Sequence, residues 1–213
     1  MQNYLSAKWG TTLTAGDRYL GDDGGNGDYD EDVFGIGRED SASVISGTYG
    51  TGLALTELNG SLSNTEYVLA GHNVINNGLT TDDVANNVVR SERVWYLDET
   101  GSVDARLTFD LSEADLTTPG FVGQWVLLYS EDEPFDFEDL GLVASISGDQ
   151  VSFDLTSLLL VDGYYTLAFA PVPEPGSWQM LALGAAGLTV GRRKSRRSRC
   201  VRIASRLATS RKR

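Results

Sequence analysis

Across residues 102–111 the chain alternates without a break. Val103, Ala105, Leu107, Phe109 and Leu111 fall on one face, and Ser102, Asp104, Arg106, Thr108 and Asp110 on the other. A period of two marks a strand with one face buried and one in water. Val151, Phe153 and Leu155 against Ser152, Asp154 and Thr156 repeat it, and Gly148-Asp149 supplies a two-residue hairpin turn from a strand over 142–146. Residues 98–101 read as a similar link between strands over 93–97 and 103–111. Shorter apolar runs predict strands over 33–37, 43–47, 52–58, 66–71, 124–130 and 164–170. About ten short strands with Gly, Asn and Asp turns between them predict an all-β fold, a β-sandwich over residues 10–170.

Two stretches break the pattern. In residues 1–9, Tyr4, Leu5 and Lys8 follow helical spacing, so this segment reads as a linker or the end of a missing upstream domain. It does not have the basic start and apolar run of a secretory signal. At the other end Pro171, Pro173 and Pro175 exclude regular helix and central strand, making 171–177 a Pro-rich linker. Ser177 can cap a helix, and residues 178–191 then run 14 positions without a charge up to Arg192-Arg193-Lys194. A run this short suits either a helix buried on the domain or a single, weakly hydrophobic membrane helix.

Charge weighs against burial. The 213 residues hold 30 acids and 17 bases, and 11 of the bases lie in residues 192–213, which hold no acid. Residues 1–191 are therefore strongly anionic, and such a body is repelled by nucleic acid and anionic lipid. The basic tail has no interleaved aromatics, and it directly follows an apolar run. That favours a cytoplasmic stop-transfer cluster over a nucleic-acid arm, so no nucleic-acid partner is expected. One cysteine, Cys200, excludes a disulfide scaffold, and a single histidine excludes a His-rich zinc centre.

The order Val172-Pro173-Glu174-Pro175, then an apolar run opened by Trp178, then Arg192-Arg193-Lys194 resembles the PEP-CTERM sorting signal of Gram-negative bacteria. That tail is also described as an ice-binding protein C-terminal domain, yet the flat threonine ladders of an ice-binding face are missing here. The resemblance implies an exported body anchored for a time in the inner membrane by a transmembrane helix over 178–191. It makes Val172, Pro173, Glu174 and Pro175 the sorting motif and Arg192, Arg193 and Lys194 the membrane stop. An exosortase-type membrane protease would then remove the anchor, leaving a protein of the cell surface, envelope or exopolysaccharide matrix. This tail runs on through Cys200 to Arg213, further than such signals usually do. The body segments YLSAKWG (4–10), FGIGRED (34–40), Arg93-Val94-Trp95 with Glu99-Thr100-Gly101, and Asp162-Gly163-Tyr164 resemble an uncharacterised β-rich bacterial surface domain. That domain follows laminin-G or concanavalin-like lectin domains, which implies further chain, with an export signal, before Met1.

Asp22, Asp23, Asn26, Asp28, Asp30 and Asp32 share a Gly-rich loop, the density of oxygen ligands that calcium prefers. The spacing does not match an EF-hand, and a solvated acidic loop is the weightier reading. Residues 131–139 form a second acidic loop of the same kind, and no other cofactor is expected. His72 has no G-x-S-x-G elbow beside it and reads as a strand-end histidine. No short motif singles out a carboxylate pair for glycoside hydrolysis. Trp95, Trp125, Tyr129, Tyr164 and Tyr165 could form a sugar-stacking platform, but Trp95 and Trp125 lie in apolar strands and read as core. Arg93 and Arg106 read as the only strand-borne cations, each paired with acids. The sum is a non-enzymatic, exported envelope or matrix protein. A carbohydrate-binding module, assisted by calcium or not, stands second and a polysaccharide hydrolase third.

Overall fold

In the computed structural model, which describes residues 16–22, 28–73, 78–132 and 135–172, the alternating segment forms a strand with its apolar face inward. Fourteen strands are described. They are β1 (Glu31–Arg38), β2 (Val44–Ile45), β3 (Gly47–Gly50), β4 (Leu53–Glu57), β5 (Glu66–His72), β6 (Leu79–Thr80) and β7 (Val89–Ser91) in the first half. Then follow β8 (Trp95–Thr100), β9 (Ala105–Asp110), β10 (Gly123–Ser130), β11 (Glu138–Asp139), β12 (Ser145–Ser147), β13 (Gln150–Leu155) and β14 (Gly163–Pro171). All described pairings are antiparallel, in two sheets. The smaller sheet runs β12-β13-β9-β4-β3, and the larger runs β11-β10-β14-β8-β5-β1-β2 with β7 also on β14 and β6 on β7.

The smaller sheet follows the expected alternation. Ala105, Leu107 and Phe109 are fully buried, as are Val151, Phe153 and Leu155 opposite them. Its outer face is a polar ladder. Arg106 donates to both Asp154 oxygens at 2.6 and 2.9 Å, and Thr108 meets Ser152 at 3.0 Å. Those cross-strand pairs sit directly opposite one another, which fixes the register. The hairpin at Gly148-Asp149 forms as expected, with Ser147 opposite Gln150.

The main core fills the space between the sheets. Ile36, Val68, Trp95, Leu97, Trp125, Leu127, Tyr165 and Leu167 of the larger sheet meet Leu53, Leu55, Leu107, Phe109 and Phe153 of the smaller. The edge of the Trp95 ring meets Phe109 with centroids 5.2 Å apart. Of the aromatic residues raised as a sugar platform, Trp95, Trp125, Tyr164 and Tyr165 are buried and Tyr129 is partly buried. A second cluster covers the other face of the larger sheet, where loops bring Tyr19, Tyr29, Val94 and Phe137 onto Tyr96, Val126, Leu128, Tyr164 and Ala168. With both faces covered, β14 and β10 read as nearly continuous apolar runs rather than alternating ones.

Several sequence expectations need correction. Residues 98–101 are not a hairpin turn: Asp98–Thr100 continue β8, and β8 and β9 belong to different sheets, so the chain crosses the sandwich there. The strand expected over 93–97 begins only at Trp95, and the one over 142–146 shrinks to β12. Arg93 lies between β7 and β8, whereas Arg38 and Arg90 are on strands, so Arg93 and Arg106 are not the only strand-borne cations. The short β6, β7 and β11 leave no periodic trace in the sequence. No helix among the described residues is long and apolar enough to cross a membrane. Residues 1–9, 178–191 and 192–213 lie outside the described residues, so the helical expectation for 178–191 falls there too.

Candidate functional site

The outer face of β1 is built on two glycines two residues apart. Gly35 stands opposite Leu69, and Gly37 opposite Tyr67. A Cβ on Gly35 would come within 2.4 Å of Leu69 and of the Val68 carbonyl, and one on Gly37 within 2.3 Å of the Tyr67 ring. Only glycine lets those side chains lie across the strand. The result is a trough of about 730 Å³ floored by β1, with Leu69 and Tyr67 on one side and Val44 and Ile45 of the β1–β2 hairpin on the other. Half-exposed Val44 and Ile45 leave its wall apolar. Its polar rim comes from three distant segments. The Arg18 guanidinium lies 4.0 Å from the centre of the Tyr67 ring and 3.6 Å from Glu39, and the Tyr67 hydroxyl donates to Glu39. Burial, with Glu39 adding, raises the Tyr67 pKa. An open, largely apolar trough with a cation, a carboxylate and a phenol at its rim can take a neutral, hydroxyl-rich or extended ligand.

The acidic loop is a different structure. Tyr29 N–H donates to Gly21 O at 3.0 Å, and the Tyr19 hydroxyl donates to Tyr29 O at 2.6 Å, so the excursion is closed at its neck. Asp23 and Asn26 lie outside the described residues. Asp28 and Asp30 bond to each other, and burial followed by the Asp28 charge raises the Asp30 pKa. The charge of Asp22 bears instead on Tyr19 and Asp98. Asp32 belongs to β1 and accepts from Thr51 N–H and, at 2.9 Å, from the Thr51 hydroxyl. Among the described residues no three carboxylates, histidines or cysteines converge as a metal site would require.

Two further polar groups lie inside. Asp98 is 5% exposed and accepts Leu20 N–H at 2.7 Å. Burial pushes its carboxyl up to about 6, and the charges of Asp162, Asp17 and Asp22 add to the rise. A raised carboxyl is what a general acid needs, but this one is closed over by the Tyr19 segment and does not line the trough. His72 ends β5, also buried, with its ring edge-on to Trp95 at 6.5 Å. Sequence reasoning missed Arg18, Glu39 and Tyr67. The alternating Gly35 and Gly37 were the available signal, since bare positions on one strand face mark something lying across it.

Of the sorting residues, Val172 is described and 48% exposed just beyond β14, whereas Pro173, Glu174, Pro175, Arg192, Arg193 and Lys194 lie outside the described residues. Fold and tail together define a β-sandwich body followed by a C-terminal sorting signal. Residues 1–163 match a domain of unknown function, DUF8202, and the chain belongs to that family. Residues 171–197 match the PEP-CTERM protein-sorting motif, the kind of signal that exosortase processes in sorting proteins to the cell surface. No curated protein and no solved structure matches the chain.

Proposed function

We propose that this protein is a non-enzymatic component of the cell envelope or exopolysaccharide matrix, delivered there by its C-terminal signal. The observation that carries the reading is the PEP-CTERM match at residues 171–197, which begins where β14 ends. Residues 178–191 anchor the exported chain in the inner membrane, Arg192, Arg193 and Lys194 hold the inner side, and exosortase cuts near Val172-Pro173-Glu174-Pro175. Its buried His72 and enclosed Asp98 supply no accessible base or acid. Glu174→Ala, expressed as the full chain in an exosortase-bearing host, is expected to abolish the processed form and leave the precursor in the membrane. Unchanged processing and release would overturn the reading.

The trough over Gly35 and Gly37 favours a second reading, a module that binds a neutral glycan without a stacking platform. On an array of neutral oligosaccharides, Arg18→Ala and Tyr67→Ala are each expected to weaken full-chain binding by about tenfold or more, the equivalent of roughly 1.4 kcal/mol. Binding that is absent, or indifferent to both changes, would remove this reading and leave the first intact.

A further inference from the structure

We propose that the corner of the sandwich formed by the start of β10, the β12 edge and the end of β14 is a lipid-contacting surface. Phe121 and Val122 are its leading side chains, and the bilayer is the one that carries the anchor. The proposal rests on the anchoring reading above.

The corner is a charge-poor part of a strongly anionic body. Residues 116–130, 140–148 and 163–172 contain no Asp, Glu, Lys or Arg, in a chain with 30 acids. The fold brings all three stretches together. Gly123 pairs with Pro171 at the end of β14, and Gln124 and Trp125 share a cleft of about 230 Å³ with Leu142, Val143, Ala144 and Ile146, with Asp139 its one charged lining residue. Around it stand exposed large apolar side chains: Val122 is 86% exposed, Val143 91% and Ile146 61%. Phe121 is partly exposed and braced from behind, its ring edge-on to Phe169 at 5.2 Å, with Trp125 packed on Phe169 at 5.1 Å. A row of edge-on aromatics thus supports the largely exposed Thr-Thr-Pro-Gly-Phe-Val segment. Apolar groups gathered on one charge-poor corner mark a surface suited to leave water.

Chain connectivity says what covers it. Trp178 follows Val172 by six positions, so the apolar run begins within about 20 Å of the end of the described body. When that run sits in lipid, the β14 exit is held at bilayer height. A body carrying so many carboxylates approaches a headgroup layer best through a charge-poor face, and the face at the exit is one. Amphipathic insertion of a few side chains to interfacial depth needs no further partner.

The test uses the full chain with Cys200→Ser, reconstituted into phosphatidylcholine vesicles. A polarity-sensitive fluorophore is attached at Val122→Cys, at Val143→Cys or, as control, at Leu158→Cys. Leu158 is 87% exposed and lies just before Gly163, at the opposite end of β14. The expected result is blue-shifted emission at residues 122 and 143, with quenching by doxyl-labelled lipid at least about twofold stronger than at residue 158. Val122→Asp should return the residue-143 label to its aqueous spectrum while the chain still floats with the vesicles. Flotation with labels at 122 and 158 equally open to aqueous iodide overturns this proposal alone. Failure to float overturns it together with the anchoring reading. A blue shift without vesicles, accompanied by a dimeric mass, overturns it in favour of a second copy of the chain.

Discussion

Arg93→Ala is expected to destabilise the body by about 2–4 kcal/mol, seen as a lower urea midpoint with an unchanged slope. Arg93 is 2% exposed and spans the end of the sandwich. Its guanidinium starts beside β8, donates to Thr51 O at 3.0 Å in the β3–β4 turn, and lies 5.8 Å from the Trp95 ring centre. Its carbonyl accepts the Thr166 hydroxyl at 3.0 Å. Burial lowers the guanidinium pKa, and the charges of Asp32 and Glu113 oppose that drop. Truncation removes the bond to Thr51, opens a cavity beside Trp95, and leaves Asp32 and Glu113 without the cation between them. Arg93→Met fills the volume without restoring the donors, so it should recover only part of the loss. Equal stability of the Met variant and the native chain would mean that volume alone matters at this position.

Asp98→Asn is expected to stabilise the protein by on the order of 1–2 kcal/mol at pH 7.5, after allowance for partial screening, and to do little at pH 4. The folded carboxyl titrates near 6, above its unfolded value, because burial comes first and the charges of Asp162, Asp17 and Asp22 second. The folded state therefore holds a proton that the unfolded chain has released, and stability falls as pH rises from roughly 4 to 6. An asparagine oxygen can still accept Leu20 N–H, while the charge that burial penalises is gone. Thermal unfolding at the two pH values checks this, and an equal shift at both would assign the effect to packing.

How much of this was legible depends on how local its cause is. The β9 and β13 faces could be read because one side of the smaller sheet meets water, so burial and polarity alternate along single segments. The assignment of Trp95 and Trp125 to the core followed from their apolar neighbours. Residues 98–101 misled because Asp, Glu, Thr and Gly are also turn formers, and only the pairing of β8 with β5 and β14 reveals a strand there. Arg90 and Arg93 could not be read as buried, since what satisfies them is far away or irregular: Asp82 O and Asp83 for one, Thr51 O for the other. Asp32 counted among the loop's acids, and its Thr51 partner could not be read because it lies 19 positions away. The trough needed three separated segments to meet, and only its two glycines were visible beforehand.

One consequence follows from where β14 sits. It is the final strand described, yet it lies in the middle of the larger sheet, with β10 along one side and β8 and β7 along the other. Until residues 163–171 emerge, β10 and β11 have no hydrogen-bonded route to β8, β5 and β1, and the hydrophobic layer beneath stays open. The keystone of the body is thus inserted last, immediately before the address that sends it onward, so a chain that stops short arrives with neither.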